Sequence, residues 1–354
     1  MYDFCAELFS FSQYGRWRRI LVSGLTAKPQ DSLLDICTGT WSVAIEATLT
    51  SGDNVVGIDN VNDYYDVPLK EARLKALSER DGFIFERLDI ADREAMAGLI
   101  ARHGGITRVV QLAAQAGVRY SLIDPYAYTR ANIEGQLVVL EACRKLEKLD
   151  HFVFASSSSV YGGNTKLPFS VNDPVNTPLS LYAATKRSME LMSHSYAHVY
   201  RMPLTGLRFF TVYGPWGRPD MAAFIFIRKI LAGQPIPVFN NGDMRRDFTY
   251  IDDIVSGVLA CLDKPPTVTE GEPPCRLYNI GNNTSEPLMR FISILEDTLG
   301  KKAEIDFQPM QTGDVPETYA DITETKRDFG FKPVTSIDEG LPRLVEWYRD
   351  FYRV

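Results

Sequence analysis

At 354 residues the chain exceeds the usual span of one small domain, so one large domain with a smaller lobe is the default expectation. Its 45% apolar and 23% charged content is that of an ordinary globular protein. A formal net charge of −7 argues against nonspecific nucleic-acid binding, and it requires that any anionic ligand be met by a local cluster of Arg or Lys.

The first segment, 2–11, is aromatic-rich and is followed by Arg16, Arg18 and Arg19. It lacks the basic-then-apolar order of a secretory leader and the long apolar run of a membrane span. Cys5, Cys37, Cys143, Cys261 and Cys275 are scattered, with no CxxC pair and no His at ligand spacing. Reduced thiols in a cytoplasmic protein are expected, with neither a disulfide framework nor a metal site.

Two segments compete for the first strand, 20–24 and 33–37. The second is followed by Thr38-Gly39-Thr-Trp41-Ser42 and a helix-like stretch over 43–50, and its spacing to Gly57 suits a βαβ unit. Apolar runs of strand length recur at 55–58, 83–85, 109–112, 152–155 and 204–210. Helical periodicity lies between them. The stretch 93–103, for example, has an N-cap at Asp92 and carries Met96, Leu99 and Ile100 on one side. The alternation predicts an α/β, Rossmann-like doubly wound parallel sheet, with ligands beyond the carboxyl ends of its strands.

After Gly206 the rhythm changes. Pro and Gly become frequent, and regular alternation is lost until the helix-like 289–299. Residues 1–206 plus 246–266 are expected to form the cofactor-binding domain, and 207–245 plus 267–354 a smaller interleaved α/β substrate lobe. The stretch 265–274 reads as a surface connection.

Ser156, Ser157, Ser158 and Ser159 follow the apolar run 152–155, ahead of Val160-Tyr161-Gly162. Hydroxyls there point into the ligand crevice of a doubly wound sheet. Further on, Tyr182 and Lys186 stand four residues apart, so on a helix the phenol and the ammonium share a face. A nearby cation favours phenolate and makes the tyrosine a general base for a hydroxyl. Taken alone, the first feature is equally a Ser-rich loop, and Tyr-x-x-x-Lys recurs by chance in a chain with 17 tyrosines. Met189, Met192, Tyr196 and Val199 supply an apolar stripe that would pack this helix on the sheet.

The Ser run with Val-Tyr-Gly, Tyr182-x-x-x-Lys186 and Arg208-Phe-Phe-Thr-Val-Tyr-Gly-Pro together resemble the extended short-chain dehydrogenase/reductase family. Within that family the chain is most similar to UDP-glucuronate 4-epimerases. Gly57-Ile-Asp-Asn60, Asp63-Tyr-Tyr-Asp66, Ala113-Ala-Gln-Ala-Gly-Val-Arg119, Gly214-Pro-Trp-Gly-Arg-Pro-Asp-Met221, Arg245-Arg-Asp-Phe-Thr-Tyr-Ile-Asp-Asp253 and Gly313-Asp-Val-Pro-Glu-Thr-Tyr-Ala-Asp321 carry the likeness from about residue 54 onward. The resemblance implies NAD as cofactor and a UDP-sugar as substrate. UDP-glucuronate would be converted to UDP-galacturonate through a 4-keto sugar.

By the same resemblance Tyr182 takes the proton of the sugar 4-hydroxyl, Ser157 hydrogen-bonds that hydroxyl, and Lys186 holds the nicotinamide ribose and lowers the Tyr182 pKa. Asp59 would bind the adenosine ribose, and Asp89 and Ile90 the adenine; Gly39, Asn60, Ala113 and Ala114 complete the implied cofactor contacts. Arg218, with Thr211 beside it, stands where the sugar carboxylate is held. Arg246 matches the diphosphate contact and Asp314 the uridine ribose contact, and Ser158 and Ser159 also face the sugar. Dehydratases and decarboxylases of the family carry an acidic residue before Val-Tyr-Gly, where this chain has Ser159. The family's helix-paired homodimer is implied as well.

The opening fits differently. The Gly-x-x-Gly-x-x-Gly turn of the family is missing. Tyr2-Asp, Ser10-Phe-Ser, Arg16-Trp-Arg-Arg19, Lys28-Pro-Gln-Asp31 and Leu34-Asp-Ile-Cys-Thr-Gly-Thr40 resemble the start of quinone-biosynthesis-type, S-adenosylmethionine-dependent methyltransferases, with Trp41 in place of a last glycine. The expected protein is therefore a splice of a methyltransferase-like opening and an epimerase body. Alternative readings are a nucleotide-sugar-binding protein with a damaged NAD site, a UDP-glucose 4-epimerase, a sugar-nucleotide decarboxylase or dehydratase, and a methyltransferase.

Overall fold

The computed structural model describes residues 32–36 and 54–354. Gly39, Trp41, the candidate strand 20–24 and the helix-like 43–50 lie outside the described residues.

The second candidate first strand is the one in the sheet. Ser32–Ile36 (β1) runs parallel to Asn54–Asp59 (β2) on one side and to Ile106–Gln111 (β4) on the other. Phe83–Arg87 (β3) closes the edge beyond β2, while His151–Ser157 (β5), Leu204–Phe209 (β6) and Cys275–Ile280 (β7) extend the sheet beyond β4. The order is β7-β6-β5-β4-β1-β2-β3, parallel throughout. Strand order reverses between β1 and β4, which opens the crevice where this architecture binds ligands.

A central parallel strand is covered on both faces, and β1 meets that demand with Leu33, Leu34 and Ile36, each at most 2% exposed. Burying each such side chain stabilises the fold by about 1.5–3 kcal/mol. Asp35 breaks the pattern. It is 1% exposed, and its Oδ1 has no hydrogen-bond partner.

Val67–Ser78 (α1), Arg93–Arg102 (α2), Gly135–Cys143 (α3) and Leu181–Tyr200 (α4) cover the sheet. α2 follows its sequence signals closely: Asp92 accepts from the N–H groups of Glu94 and Ala95 at 3.0 Å each, and Met96, Leu99 and Ile100 are buried. α4 uses most of the stripe expected for it: Met189 is buried, and Met192 and Tyr196 pack against the core. Val199 is 60% exposed, and the buried face is Ala183, Thr185, Lys186, Met189, Glu190, Ser193 and Ala197. That face is polar because it carries the site at its start and an ion-pair network behind it.

The remaining elements, Ala222–Leu231 (α5), Ile251–Leu262 (α6), Leu288–Leu299 (α7), Thr323–Phe329 (α8) and Ile337–Tyr352 (α9), pack with short strand pairs around one apolar core continuous with one face of the sheet. A second core lies on the other face, under α2, α3 and α4. β7 falls within 267–354, the range expected for the lobe, yet it is the edge strand of the main sheet. Its sequence, CRLYNI, mixes Arg276 and Asn279 among apolar residues, which hides an edge strand from periodicity.

Candidate active site

The carboxyl ends of β5 and β6 and the start of α4 enclose a cavity of about 410 Å³. Ser157, Ser158, Ser159, Tyr182, Lys186, Thr211, Arg218, Arg246, Asp314 and Ala114 all line it. Asp59, Asn60, Asp89, Ile90 and Ala113 do not; they follow the same sheet edge further along, after β2, β3 and β4.

Ser180 starts α4 by accepting from the Ala183 N–H at 3.1 Å, which places Tyr182 in the first turn. One turn later Lys186 is buried, and its Nζ donates to the Ala155 carbonyl at 2.8 Å. Ser157 ends β5. Its Oγ accepts from the Ser159 N–H at 3.2 Å and lies 3.0 Å from Ser159 Oγ, so its own proton is available to a group in the cavity. Burial raises the Tyr182 phenol above its ordinary pKa, and the Ser157 hydroxyl and the Arg218 charge pull it down. The expectation placed this lowering on Lys186.

A buried network holds strand and helix together behind these groups. Ser156 Oγ donates to Glu190 Oε1 at 2.6 Å, Arg208 binds both Glu190 oxygens at 2.8 and 2.9 Å, and Arg187 adds a bond at 2.8 Å. Glu190 lies two helical turns from Tyr182 on the same face. The next turn requires glycine. Gly162 has φ +51°, and a Cβ there would stand 2.1 Å from the Thr177 carbonyl oxygen.

The cationic side of the cavity is built from two clusters. Arg218 grips Asp220 through Nε (3.0 Å) and Nη2 (2.6 Å), and the Tyr64 hydroxyl donates to the same carboxylate at 3.1 Å. Burial works against the Arg218 cation, and Asp220 outweighs it, so the guanidinium pKa is raised. Arg246 donates to the Pro316 carbonyl at 3.0 Å, beside Asp314, which pairs with Arg119 at 3.3 Å. Burial lowers the Arg246 pKa, Asp314 opposes that, and Arg119 adds to it.

Farther along the sheet edge Asp59 accepts the Val61 N–H at 2.7 Å, and Asn60 accepts the Asn62 N–H at 3.2 Å. Asp89 accepts from the Ala91 N–H and from Arg130. Ile90 is buried against Gly135, where a Cβ would meet its side chain at 2.6 Å. The Leu112 and Ala113 N–H groups both donate to the Ile36 carbonyl, tying the end of β4 to β1.

A profile of the NAD dependent epimerase/dehydratase family matches residues 42–281. The chain belongs to that family. It is 48% identical to UDP-glucuronate 4-epimerase 4 of Arabidopsis thaliana over 311 residues, 85% of this chain and 71% of the plant protein. It is 46% identical to Protein CapI of Staphylococcus aureus, over 86% of this chain and 94% of that protein. Among solved structures it resembles the UDP-glucuronic acid 4-epimerase of Bacillus cereus in complex with UDP-glucuronic acid and NAD. That likeness has a TM-score of 0.83 at 32% identity, covering 91% of this chain and 100% of the other.

For this member of the epimerase/dehydratase family, sequence reasoning passed over three groups that the fold brings to the site. Tyr64 and Asp220 lie inside quoted motifs without a role, and Arg119 closes on Asp314 from a distant loop. Of the opening segment whose sequence was likened to methyltransferases, only residues 32–36 are described, and they form β1; the matches to known proteins support the epimerase family alone. Among the described residues no cluster of His, Cys, Asp and Glu is suited to a metal, and no helix is long and apolar enough to cross a membrane.

Proposed function

We propose that the chain is a NAD-dependent UDP-sugar 4-epimerase that interconverts UDP-glucuronate and UDP-galacturonate. The observation that carries this reading is the single cavity joining Ser157, Tyr182 and Lys186 to the guanidinium of Arg218. The likeness to UDP-glucuronate 4-epimerases supports it.

Asp59, Asn60, Asp89, Ile90, Ala113, Ala114 and Lys186 follow the carboxyl edge of the sheet across its switch point, an arrangement that fits a dinucleotide; Gly39 would complete the set. Bound NAD supplies the hydride acceptor and donor that side chains lack. Tyr182, as phenolate, takes the proton of the sugar 4-hydroxyl and later returns it. Ser157 donates its free proton to the same oxygen and fixes the hydroxyl against the phenol. Lys186 stabilises the phenolate side of this exchange and holds the nicotinamide ribose.

On the substrate side Arg218 and Thr211 receive the sugar carboxylate, since a guanidinium binds a carboxylate through two charge-assisted bonds. Arg246 meets the diphosphate: an incoming anion relieves a cation that burial disfavours. Asp314 takes the uridine ribose, and Ser158 and Ser159 face the sugar. The division into a cofactor-binding part (1–206, 246–266) and a sugar-binding part is part of the same reading, with β7 transferred to the former. Leu137 and Leu191, exposed on α3 and α4, support a homodimer through that helix pair. Cys143, Cys261 and Cys275, free thiols, suit a reducing cytoplasm.

Asp35 favours a second reading, a nucleotide-sugar-binding protein with an impaired cofactor site. Burial first, and the nearby Asp59 charge second, push this carboxyl, whose Oδ1 has no hydrogen-bond partner, up to about 8 at the strand that opens the NAD crevice. Denaturing the purified protein and assaying the supernatant for NAD(H) decides between them. Near-stoichiometric release supports the epimerase; UDP-sugar binding without NAD(H) selects the binding protein.

A further inference from the structure

We infer that Arg73 is a positioning residue for Arg218, acting through the backbone of the turn that presents it. The inference rests on the reading of Arg218 as the contact for the sugar carboxylate.

Arg73 projects from α1, on the cofactor side of the molecule, and is 1% exposed. Its Nη1 donates to the Tyr65 hydroxyl at 2.8 Å. Its Nη2 donates to the carbonyls of Trp216 and of Gly217, the latter at 3.0 Å. Its Nε has no hydrogen-bond partner. The acceptors of these bonds are neutral. Among the described residues no carboxylate pairs with it, and burying a guanidinium on carbonyls alone is costly. What the arrangement secures is the geometry of the two residues immediately before Arg218.

That geometry needs holding. Trp216 sits at φ +61°, a region that bulky L-residues rarely occupy, and Gly214 at φ +146°. The Trp216 ring is wedged against Trp347 and Phe351 of α9, with centroids 5.1 Å apart in each pair. A Cβ at Gly217 would stand 2.9 Å from the Phe224 ring. The turn is thus fixed by its aromatic ring on the lobe side and by Arg73 on the sheet side.

The same helix governs the other flank of Arg218. The loop that leads from Asp59 into α1 is pinned by Lys70, whose Nζ donates to the backbone carbonyl and the side-chain oxygen of Asn62 at 2.7 Å each. From that loop Tyr64 reaches Asp220, the carboxylate that Arg218 grips. Arg73 therefore fixes the backbone before Arg218, and Tyr64 fixes the partner of its side chain. A two-bond guanidinium–carboxylate contact is sensitive to small displacements, whereas a sugar without a carboxylate does not use it. Loosening Arg73 should weaken uronate binding selectively.

The test measures dissociation constants of UDP-glucuronate and UDP-glucose for Arg73→Met, Arg73→Lys and Arg218→Ala. Arg73→Met is expected to weaken UDP-glucuronate by about tenfold or more and UDP-glucose by less than about twofold. Arg73→Lys, which keeps the charge and can still donate to a carbonyl though not through a fork, should recover part of the loss. Equal weakening of both ligands, or none, overturns the inference. Should Arg73→Met not fold, Arg73→Lys decides: a uronate-selective loss supports the inference, and an equal loss for both sugars, or none, overturns it. If Arg218→Ala itself weakens both ligands equally, the carboxylate reading fails and the inference with it. If Arg218→Ala is selective and Arg73→Met is not, the inference alone fails.

Discussion

Lys186 Nζ donates to the Ala155 carbonyl at 2.8 Å, which ties the helix bearing Tyr182 to the strand bearing Ser157. The bond spans the two elements whose relative placement decides whether phenol and hydroxyl meet one substrate oxygen. Behind it, Glu190 links Ser156 to Arg208 and repeats the tie deeper in the protein. Four consequences are open to measurement.

Tyr182→Phe removes the proton acceptor and leaves the ring in its packing site. Turnover should fall by about 10²–10⁴, the range for losing a general acid–base group, while UDP-sugar affinity stays within about threefold. Steady-state rates and calorimetric titration of the same sample check this. Turnover near wild type would remove Tyr182 from the proposed role.

The pH profile should report the neighbours of Tyr182. Activity requires phenolate and is lost as pH falls through the Tyr182 pKa. Ser157 and Arg218 both lower that pKa, so Ser157→Ala or Arg218→Ala raises it and moves the acid limb of kcat/KM to higher pH. A shift to lower pH, or none in either variant, would contradict the electrostatic assignment.

Glu190→Gln leaves Arg208 without its buried counter-charge and should cost about 3–5 kcal/mol at neutral pH, read from urea midpoints. Burial would raise the Glu190 pKa, but the Arg208 bond and charge outweigh it and the net direction is down. The stabilisation is present above the unfolded-state pKa and is lost as pH falls through the lower folded value. The gap between wild type and variant should therefore narrow in acid.

These groups differ in how far the linear sequence disclosed them. Strands with continuous apolar runs, and α2 with its Asp92 cap, were readable because each rests on local periodicity and capping. β1 was readable by spacing, since a βαβ unit fixes the distance to the next strand. β7 was not, because an edge strand tolerates Arg276 and Asn279 and leaves no apolar run. At the site, Tyr182 and Lys186 were singled out by motif and helical spacing, and Ser157 by the family resemblance. Their convergence with Arg218 and Arg246 in one cavity depends on the fold. Tyr64 meets Asp220, and Arg73 meets the carbonyls of Trp216 and Gly217, each across more than a hundred residues of chain, and no local pattern announces such contacts. Of the stripe expected on α4 only Val199 turns outward; Met189, Met192 and Tyr196 pack on the core, while Lys186, Glu190 and Ser193 join the buried face through polar partners that periodicity does not announce.

Asp35→Asn should stabilise the fold, and more so as pH rises. The Asp35 pKa is raised to about 8 by burial and by Asp59, so the wild-type protein is favoured while the group is protonated. It loses that advantage between the unfolded carboxylate pKa and about 8. The gain in the variant should grow by about 1 kcal/mol or more between pH 6 and pH 8.5, then level off. A pH-independent difference would show that Asp35 is not protonated in the folded protein.

The most direct test of the central proposal is to incubate the purified protein separately with UDP-glucuronate and with UDP-galacturonate, and to follow the sugar C4 configuration by NMR. The account predicts that both reactions reach one and the same mixture of the two epimers, and that Tyr182→Phe stalls both. Binding of either UDP-sugar with no change at C4, even with NAD added, would contradict it.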